Sequence, residues 1–171
     1  MNWKDLYKLD KCRYTERGIN TCFIYHMRRA LGSSNLFLKF SSRIILNVLK
    51  DFCGLEISYK TQIGKGFYIG HPYGITVNPN AIIGDNCNIH KGVVIGQENR
   101  GKRKGAPIIG NEVWIGINSA IVGKITIGDD VLIAPNSYVN CDVPSHSIVF
   151  GNPCIVRHKD YATKNYINRK V

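Results

Sequence analysis

The chain has 171 residues, 44% of them hydrophobic, and carries 23 Lys plus Arg against 12 Asp plus Glu, a formal charge of +11. That is enough chain for one domain with a substantial core, and the excess of cations points to an anionic partner: a phosphate, a polyanionic glycan or an anionic bilayer. Nucleic acid is disfavoured because no DNA- or RNA-binding motif accompanies the charge, and the six cysteines include no C-x-x-C pair and no zinc spacing.

Met1–Asp5 shows no secretory signal and no apolar run reaches about 18 residues, so the chain reads as cytoplasmic with reduced thiols. Residues 1–55 read as a helical N-terminal cap. Within it, 3–31 is polar with scattered aromatics, suited to one or two short helices, and Asn35–Phe52 is more regular. There Leu36, Phe40, Ile44, Ile45, Val48, Leu49 and Phe52 recur at helical spacing. That apolar face is expected to cover the first coil of a repetitive β domain. Lys39, Arg43 and Lys50 on the remaining surface permit an alternative, peripheral contact with an anionic membrane.

From residue 57 an aliphatic beat begins, at six-residue steps: Ile57, Ile63 and Ile69, then Val77, Ile83, Ile89 and Ile95, then Ile109, Ile115, Ile121, Ile127, Ile133 and Val139. Such a period cannot serve a helix, whose apolar face returns after three or four residues, but it fits flat β segments joined by tight corners. Residues 56–143 are therefore a hexapeptide β-helix, and Cys87, two residues before a beat, reads as a small hydrophobe in its wall. The beat slips twice. Gly70-His71-Pro72-Tyr73-Gly74 adds two residues between Ile69 and Val77, and a glycine-rich basic loop at 97–108 bulges between Ile95 and Ile109, expected to be mobile and exposed. After Val139 the beat stops at Cys141-Asp142-Val143-Pro144, leaving 144–171 as a C-terminal extension.

His71 stands beside a proline at a break in a rigid scaffold, and histidine is the side chain best matched to proton abstraction near neutral pH. Glu56 precedes it by fifteen residues, close to one coil, where a carboxylate could hold the imidazole as the third member of a triad does. His90 lies nineteen residues after His71, near the same edge one coil on, and lines the cleft. Zinc needs three protein ligands, and His26, His146 and His158 fall outside the beat, so no metal is expected.

Gly66-Phe67-Tyr68-Ile69-Gly70-His71-Pro72-Tyr73-Gly74-Ile75, the glycine-rich loop, Ala106-Pro107-Ile108-Ile109-Gly110-Asn111 and Val143-Pro144 with Gly151-Asn152-Pro153 resemble the serine acetyltransferase branch of the hexapeptide acyltransferases over residues 54–158. The resemblance implies an all-β solenoid, a left-handed parallel β-helix with a short α-helical N-terminal cap. It also implies a homotrimer, acetyl-CoA as co-substrate and active sites in clefts between subunits. The catalytic histidine falls on His71 and its acidic partner on Glu56. By family position the pantetheine arm runs near Gly96, Gln97, Ile117, Ala134 and Pro135, with Arg157 and Lys159 meeting the phosphates.

The chain departs from that branch where the amino-acid acceptor is held. Gly70 replaces an Asp before the catalytic histidine, Gly105 and Ala106 replace an Arg-His pair, and the N-terminal region is short. In form it looks more like the O-acetyltransferases of capsule and exopolysaccharide clusters, the colanic-acid type included. The main expectation is thus acetyl transfer to a sugar or surface-polysaccharide precursor, with Tyr68, Tyr73, His90, Arg100 and Arg103 on the acceptor. Serine O-acetylation is the alternative, and a non-catalytic hexapeptide scaffold the alternative of another class.

Overall fold

A computed structural model describes residues 1–171. Three helices, α1 (Trp3–Cys12), α2 (Ile19–Gly32) and α3 (Leu36–Cys53), lead into a left-handed parallel β-helix of five coils. The first coil holds β1 (Leu55–Ile57), β2 (Gln62–Ile63) and β3 (Tyr68–Gly70). The second holds β4 (Ile75–Val77), β5 (Ile82–Ile83) and β6 (Asn88–His90), and the third β7 (Val94–Gly96), β8 (Ile108–Ile109) and β9 (Trp114–Ile115). The fourth coil is β10 (Ala120–Val122), β11 (Thr126–Ile127) and β12 (Val131–Ile133), and the last contains β13 (Tyr138–Val139) and β14 (Ser147–Phe150). Equivalent strands stack into three parallel sheets: A (β1-β4-β7-β10-β13), B (β2-β5-β8-β11) and C (β3-β6-β9-β12-β14), the last extended by the antiparallel β15 (Ile155–His158).

All thirteen beat residues are buried, and a second inward row stands two residues before them: Leu55, Phe67, Ile75, Ala81, Cys87, Val93, Val113, Ile125 and Val131. Each large aliphatic so enclosed contributes roughly 1.5–3 kcal/mol. Burial pushes the Cys87 thiol up to about 12, which keeps it protonated and inert. The tight corners need left-handed backbone, supplied by Gly66, Asn86, Glu112, Asp130 and His146 ahead of sheet C, and by Gly74, Gly92, Asn118 and Asn136 ahead of sheet A.

Three local readings are corrected. The solenoid does not stop at 143: Val143 bridges to Ile127 and Val149 pairs with Ile133, so a shortened corner after Val139 still completes a fifth coil. The loop at 97–108 is a folded hairpin, with Glu98 and Gly105 exchanging backbone hydrogen bonds of 3.0 and 2.9 Å. Its Arg103 carbonyl accepts from the Lys124 amide of the next coil at 2.8 Å. In α3 only part of the expected face turns inward: Leu49 packs against the core, whereas Leu36, Phe37, Phe40 and Phe52 are 78, 75, 63 and 84% exposed. Ser42, Leu46 and Cys53 face inward instead. The helix contact requires a small hydrogen-bonding residue, since Ser42 accepts from Arg29 Nε at 2.6 Å and meets His26 Nδ1 at 3.3 Å.

The cap is fastened by buried charge. Arg28 donates to both carboxylate oxygens of Asp10, at 2.8 and 3.2 Å, and to the Ile63 carbonyl at 2.8 Å. Asp10 also accepts from the Phe67 amide at 3.0 Å. Arg13 ties the same region to Gly66, Asn88 and Asn168. Gly54 ends α3 with a left-handed residue whose Cβ position lies 3.2 Å from the Gly74 backbone, so the entry to β1 admits only glycine without strain. No helix is long and apolar enough to cross a membrane.

Candidate functional site

The corner between sheets C and A repeats once per coil, and its backbone forms a ladder. Gly92 N–H donates to the Tyr73 carbonyl, Asn118 to Lys91, Asn136 to Ile117 and Tyr138 to Gly151. One edge of the prism therefore carries, in order, His71 and Tyr73, then His90 and Lys91, then Ile117, then Ala134 and Pro135. His71 is exposed and left-handed (φ 55°), a conformation costly for a residue with a Cβ and common at functional sites. The two inserted residues let it leave the wall: strand β3 ends at Gly70 and the Tyr73 amide folds back onto the His71 carbonyl at 2.8 Å.

His90 is the ring that accompanies His71. It pairs in register with Gly70, and its Nδ1 lies 2.8 Å from the Ile115 carbonyl oxygen. Burial holds its pKa below the usual imidazole value; the Ile115 hydrogen bond works the other way and the neighbouring His71 adds to the lowering. Around it runs an aromatic ladder on the outer face of sheet C. Tyr14 stacks on Tyr68 at 4.7 Å, Tyr68 lies 6.5 Å from His90, His90 4.7 Å from Trp114, and Trp114 5.1 Å from Tyr166. The Tyr68 face expected to receive an acceptor is thus already covered by Tyr14. Trp114 and Tyr166 escaped the sequence reading. Trp114 had a usable signal, because residues one before the third beat of each coil, such as Tyr68, Asn88 and Trp114, share one register column.

The other expected residues lie elsewhere. Glu56 is the middle residue of β1, the edge strand of sheet A, with its side chain outward, in register with Thr76 and opening onto a groove with Arg43, Lys50, Tyr59 and Asn78; no hydrogen bond joins it to His71. Gly96, Gln97, Arg100 and Arg103 occupy the corner between sheets A and B, where Asn78 Nδ2 donates to Gln97 Oε1 at 3.1 Å. Arg157 lies on β15, the terminal strand of sheet C, paired with Ile148, and the Lys159 amide donates to the His146 carbonyl at the corner that precedes β14. Lys159 is therefore a sheet's width from Ile117, Ala134 and Pro135. Within one chain His71, Ile117, Ala134 and Pro135 lie at one edge of sheet A and Gly96, Gln97, Arg100 and Arg103 at the other, while Arg157 and Lys159 lie on sheet C.

The departures have physical explanations. A Cβ on residue 70 would fall 2.5 Å from His90 Cδ2 and 2.8 Å from His90 Nε2, so the space of the missing Asp is filled by the imidazole. Gly105 has φ 134° where the hairpin closes on Lys124, a conformation side chains rarely adopt. No group of three or more His, Cys, Asp or Glu able to hold a metal ion occurs in the chain.

Residues 106–141 match the family described as bacterial transferase hexapeptide (six repeats). A curated serine acetyltransferase from Helicobacter pylori is 32% identical over 143 residues, covering 84% of this chain and 82% of its own length. Among solved structures, serine acetyltransferase from Brucella abortus superposes with a TM-score of 0.76 at 24% identity, over 92% of this chain and 69% of that one, a likeness of fold. The Neisseria gonorrhoeae serine acetyltransferase in complex with serine superposes with a TM-score of 0.71 at 25% identity, over 91% of this chain and 69% of that one. These relatives overturn the expected sugar or polysaccharide acceptor and give no support to a closer kinship with the colanic-acid type. A short N-terminal region does not set this chain apart, because the Helicobacter serine acetyltransferase is about as long as this chain.

Proposed function

This chain belongs to the serine acetyltransferase family of hexapeptide-repeat transferases, and from that premise we propose that it transfers the acetyl group of acetyl-CoA to the hydroxyl of L-serine. The observation that carries the reading is the Helicobacter match, which runs through most of both chains. His71 is the general base. It takes the serine Oγ proton as the oxygen attacks the thioester carbonyl, backbone N–H groups of the cleft hold the oxyanion, and the tetrahedral intermediate expels CoA thiolate, which recovers the proton from His71. No acyl-enzyme is needed.

The zwitterionic acceptor calls for one cation and one anion. Arg103 on the hairpin supplies a cation in place of the family's Arg-His pair, while Glu56 on sheet A is the acidic partner that holds the His71 imidazole. The division of the site between two edges of sheet A supports a homotrimer, in which the His71 edge of one subunit faces the 97–108 edge of the next. Ile117, Ala134 and Pro135 then line the donor's path. The exposed apolar stripe of α3, flanked by Arg43 and Lys50, supports peripheral contact of this end with an anionic bilayer, which vesicle flotation tests. For the reaction itself, purified protein with acetyl-CoA and millimolar L-serine should release CoA and form O-acetylserine, read by thiol titration and mass spectrometry. No product above the His71→Ala background would refute the reading.

A further inference from the structure

The six cysteines are all free, and their surroundings sort them. Cys53 and Cys87 are buried, and Cys12 and Cys22 are exposed on α1 and α2. Cys141 and Cys154 differ from these four: thirteen positions apart in the chain, they bring their sulfur atoms within 3.8 Å of each other. Cys141 is exposed, at the corner that follows β13. The backbone there is held to the coil below, since Asp142 accepts from the Thr126 amide at 2.7 Å and Val143 bridges to Ile127. Cys154 ends the turn between β14 and β15 and packs against the core. That turn is anchored too: the Gly151 carbonyl accepts from the Tyr138 amide at 3.1 Å, and Phe150 pairs with Ile155. Two thiols thus meet from two fixed pieces of backbone, and a bonded S–S distance of about 2.05 Å requires a closing movement of about 2 Å shared between two side chains.

We propose that Cys141 and Cys154 are a reversible modification site, a dithiol that a low-molecular-weight disulfide such as oxidised glutathione converts into an intramolecular disulfide fastening the last coil. The exposed Cys141 reacts first. Its thiolate attacks one sulfur of the oxidant, a mixed disulfide forms and the first glutathione thiolate leaves. Cys154 then loses its proton and attacks the Cys141 sulfur; the protein S–S bond forms as the second glutathione thiolate departs. Two electrons pass from the protein to the oxidant, and the two thiol protons end on the two glutathione thiols. The new bond closes a loop that contains the whole of β14, and so ties the turn before β15 to the corner after β13. Because Cys141 faces solvent, the bond stays open to attack by a reducing thiol, unlike an enclosed structural disulfide. Desolvation raises the Cys141 thiol above its ordinary value, with Cys154 and Asp142 adding to the rise and the Arg103 guanidinium of the hairpin opposing it, so oxidation is slow at neutral pH and quickens in mild alkali.

The test equilibrates the purified full-length protein in glutathione buffers of graded oxidised-to-reduced ratio, blocks remaining thiols by alkylation and maps the peptides by mass spectrometry. One disulfide, Cys141–Cys154, should appear with the loss of two hydrogens per chain and vanish on treatment with dithiothreitol. It should form equally in Cys12→Ser/Cys22→Ser and be absent from Cys141→Ser and Cys154→Ser. Its rate of formation should rise about tenfold from pH 7 to pH 8, as expected of a thiol almost wholly protonated in that range. Oxidation should raise the melting temperature by roughly 6–12 °C, for closure of a short loop in a chain of this length, and should slow hydrogen exchange at the amides of β15. A pair still reduced in the most oxidising buffer, glutathione on Cys141 with no protein disulfide, a bond between two copies, or a bond that takes in Cys12 or Cys22 would each overturn the proposal. A disulfide that forms yet leaves melting and exchange unchanged would overturn the fastening. Should either serine variant fail to fold, the peptide map of the oxidised wild type still decides.

Discussion

Replacing Arg28 by Leu separates the two halves of a buried ion pair whose partner cannot reach water. Arg28 and Asp10 are 4% and 0% exposed, and with the guanidinium gone the carboxylate keeps only backbone amide donors while the Ile63 and Gly64 carbonyls lose a donor. Breaking such a pair costs about 3–5 kcal/mol, a large share of the ~5–15 kcal/mol that holds a domain together. The loss also acquires a pH signature. Burial already raises the Asp10 pKa, and Arg28 is the chief group opposing that rise. Without Arg28 the folded carboxyl titrates still higher, so the penalty is absent below the unfolded value of about 3.9 and grows as pH rises through the raised folded value. Urea unfolding at neutral and mildly acidic pH should show the gap between Arg28→Leu and wild type narrowing on acidification. The Asp10→Asn/Arg28→Leu double variant, with no charge left to strand, should recover much of the loss. A neutral-pH deficit under about 1 kcal/mol, or a double variant no better than the single, would refute the reasoning.

Three further outcomes concern other parts of the molecule. Gly84→Ala should destabilise by about 1–3 kcal/mol in thermal unfolding, because its Cβ would lie 2.5 Å from the Gly110 carbonyl oxygen, a backbone atom that moves only if the coils part; Gly96→Ala, with contacts of 3.7 Å, should be tolerated. Burial raises the Asp130 pKa, but hydrogen bonds from Thr163, His146 and Ala162 outweigh it and leave a net lowering, so the docking of residues 161–167 is fully stabilised above the unfolded carboxylate pKa of about 3.9. That stabilisation fades as pH falls through the lowered folded value, and hydrogen exchange at the Ala162 and Thr163 amides should accelerate there, but not in Asp130→Asn. Light scattering should give three times the 19.2 kDa chain mass, and a monomer at micromolar concentration would remove the shared cleft.

Much of this architecture is written at the level of spacing. Every beat position from Ile57 to Val139 is a core position because an extended segment with corners at fixed intervals returns the same side chain inward each time. The second inward row was harder to see, since Thr61, Ser119 and Ser137 occupy it alongside Leu55 and Phe67: a narrow interior accepts small polar residues, and Ser119 Oγ donates to the Ala134 carbonyl at 2.9 Å. The face of α3 was misread because apolar periodicity states that a stripe exists, not what covers it; the Ser42 contacts with His26 and Arg29 decide the orientation. At the site, counting residues placed His71 and His90 near one edge. The filling of residue 70's space by an imidazole from the next coil is a packing fact that no one-dimensional pattern carries.

The turn-back at the end of the solenoid has a consequence for how these molecules behave in a crowd. A stack of parallel coils has no natural stopping point, and an open terminal ladder is a template on which a neighbour's strand can grow. Here β15 reverses direction and pairs antiparallel along β14, so the strand shown to the outside runs against the grain of every coil beneath it and carries Arg157 and His158. On sheet A the last strand, β13, is only two residues long. The chain thus ends its own polymer after five units.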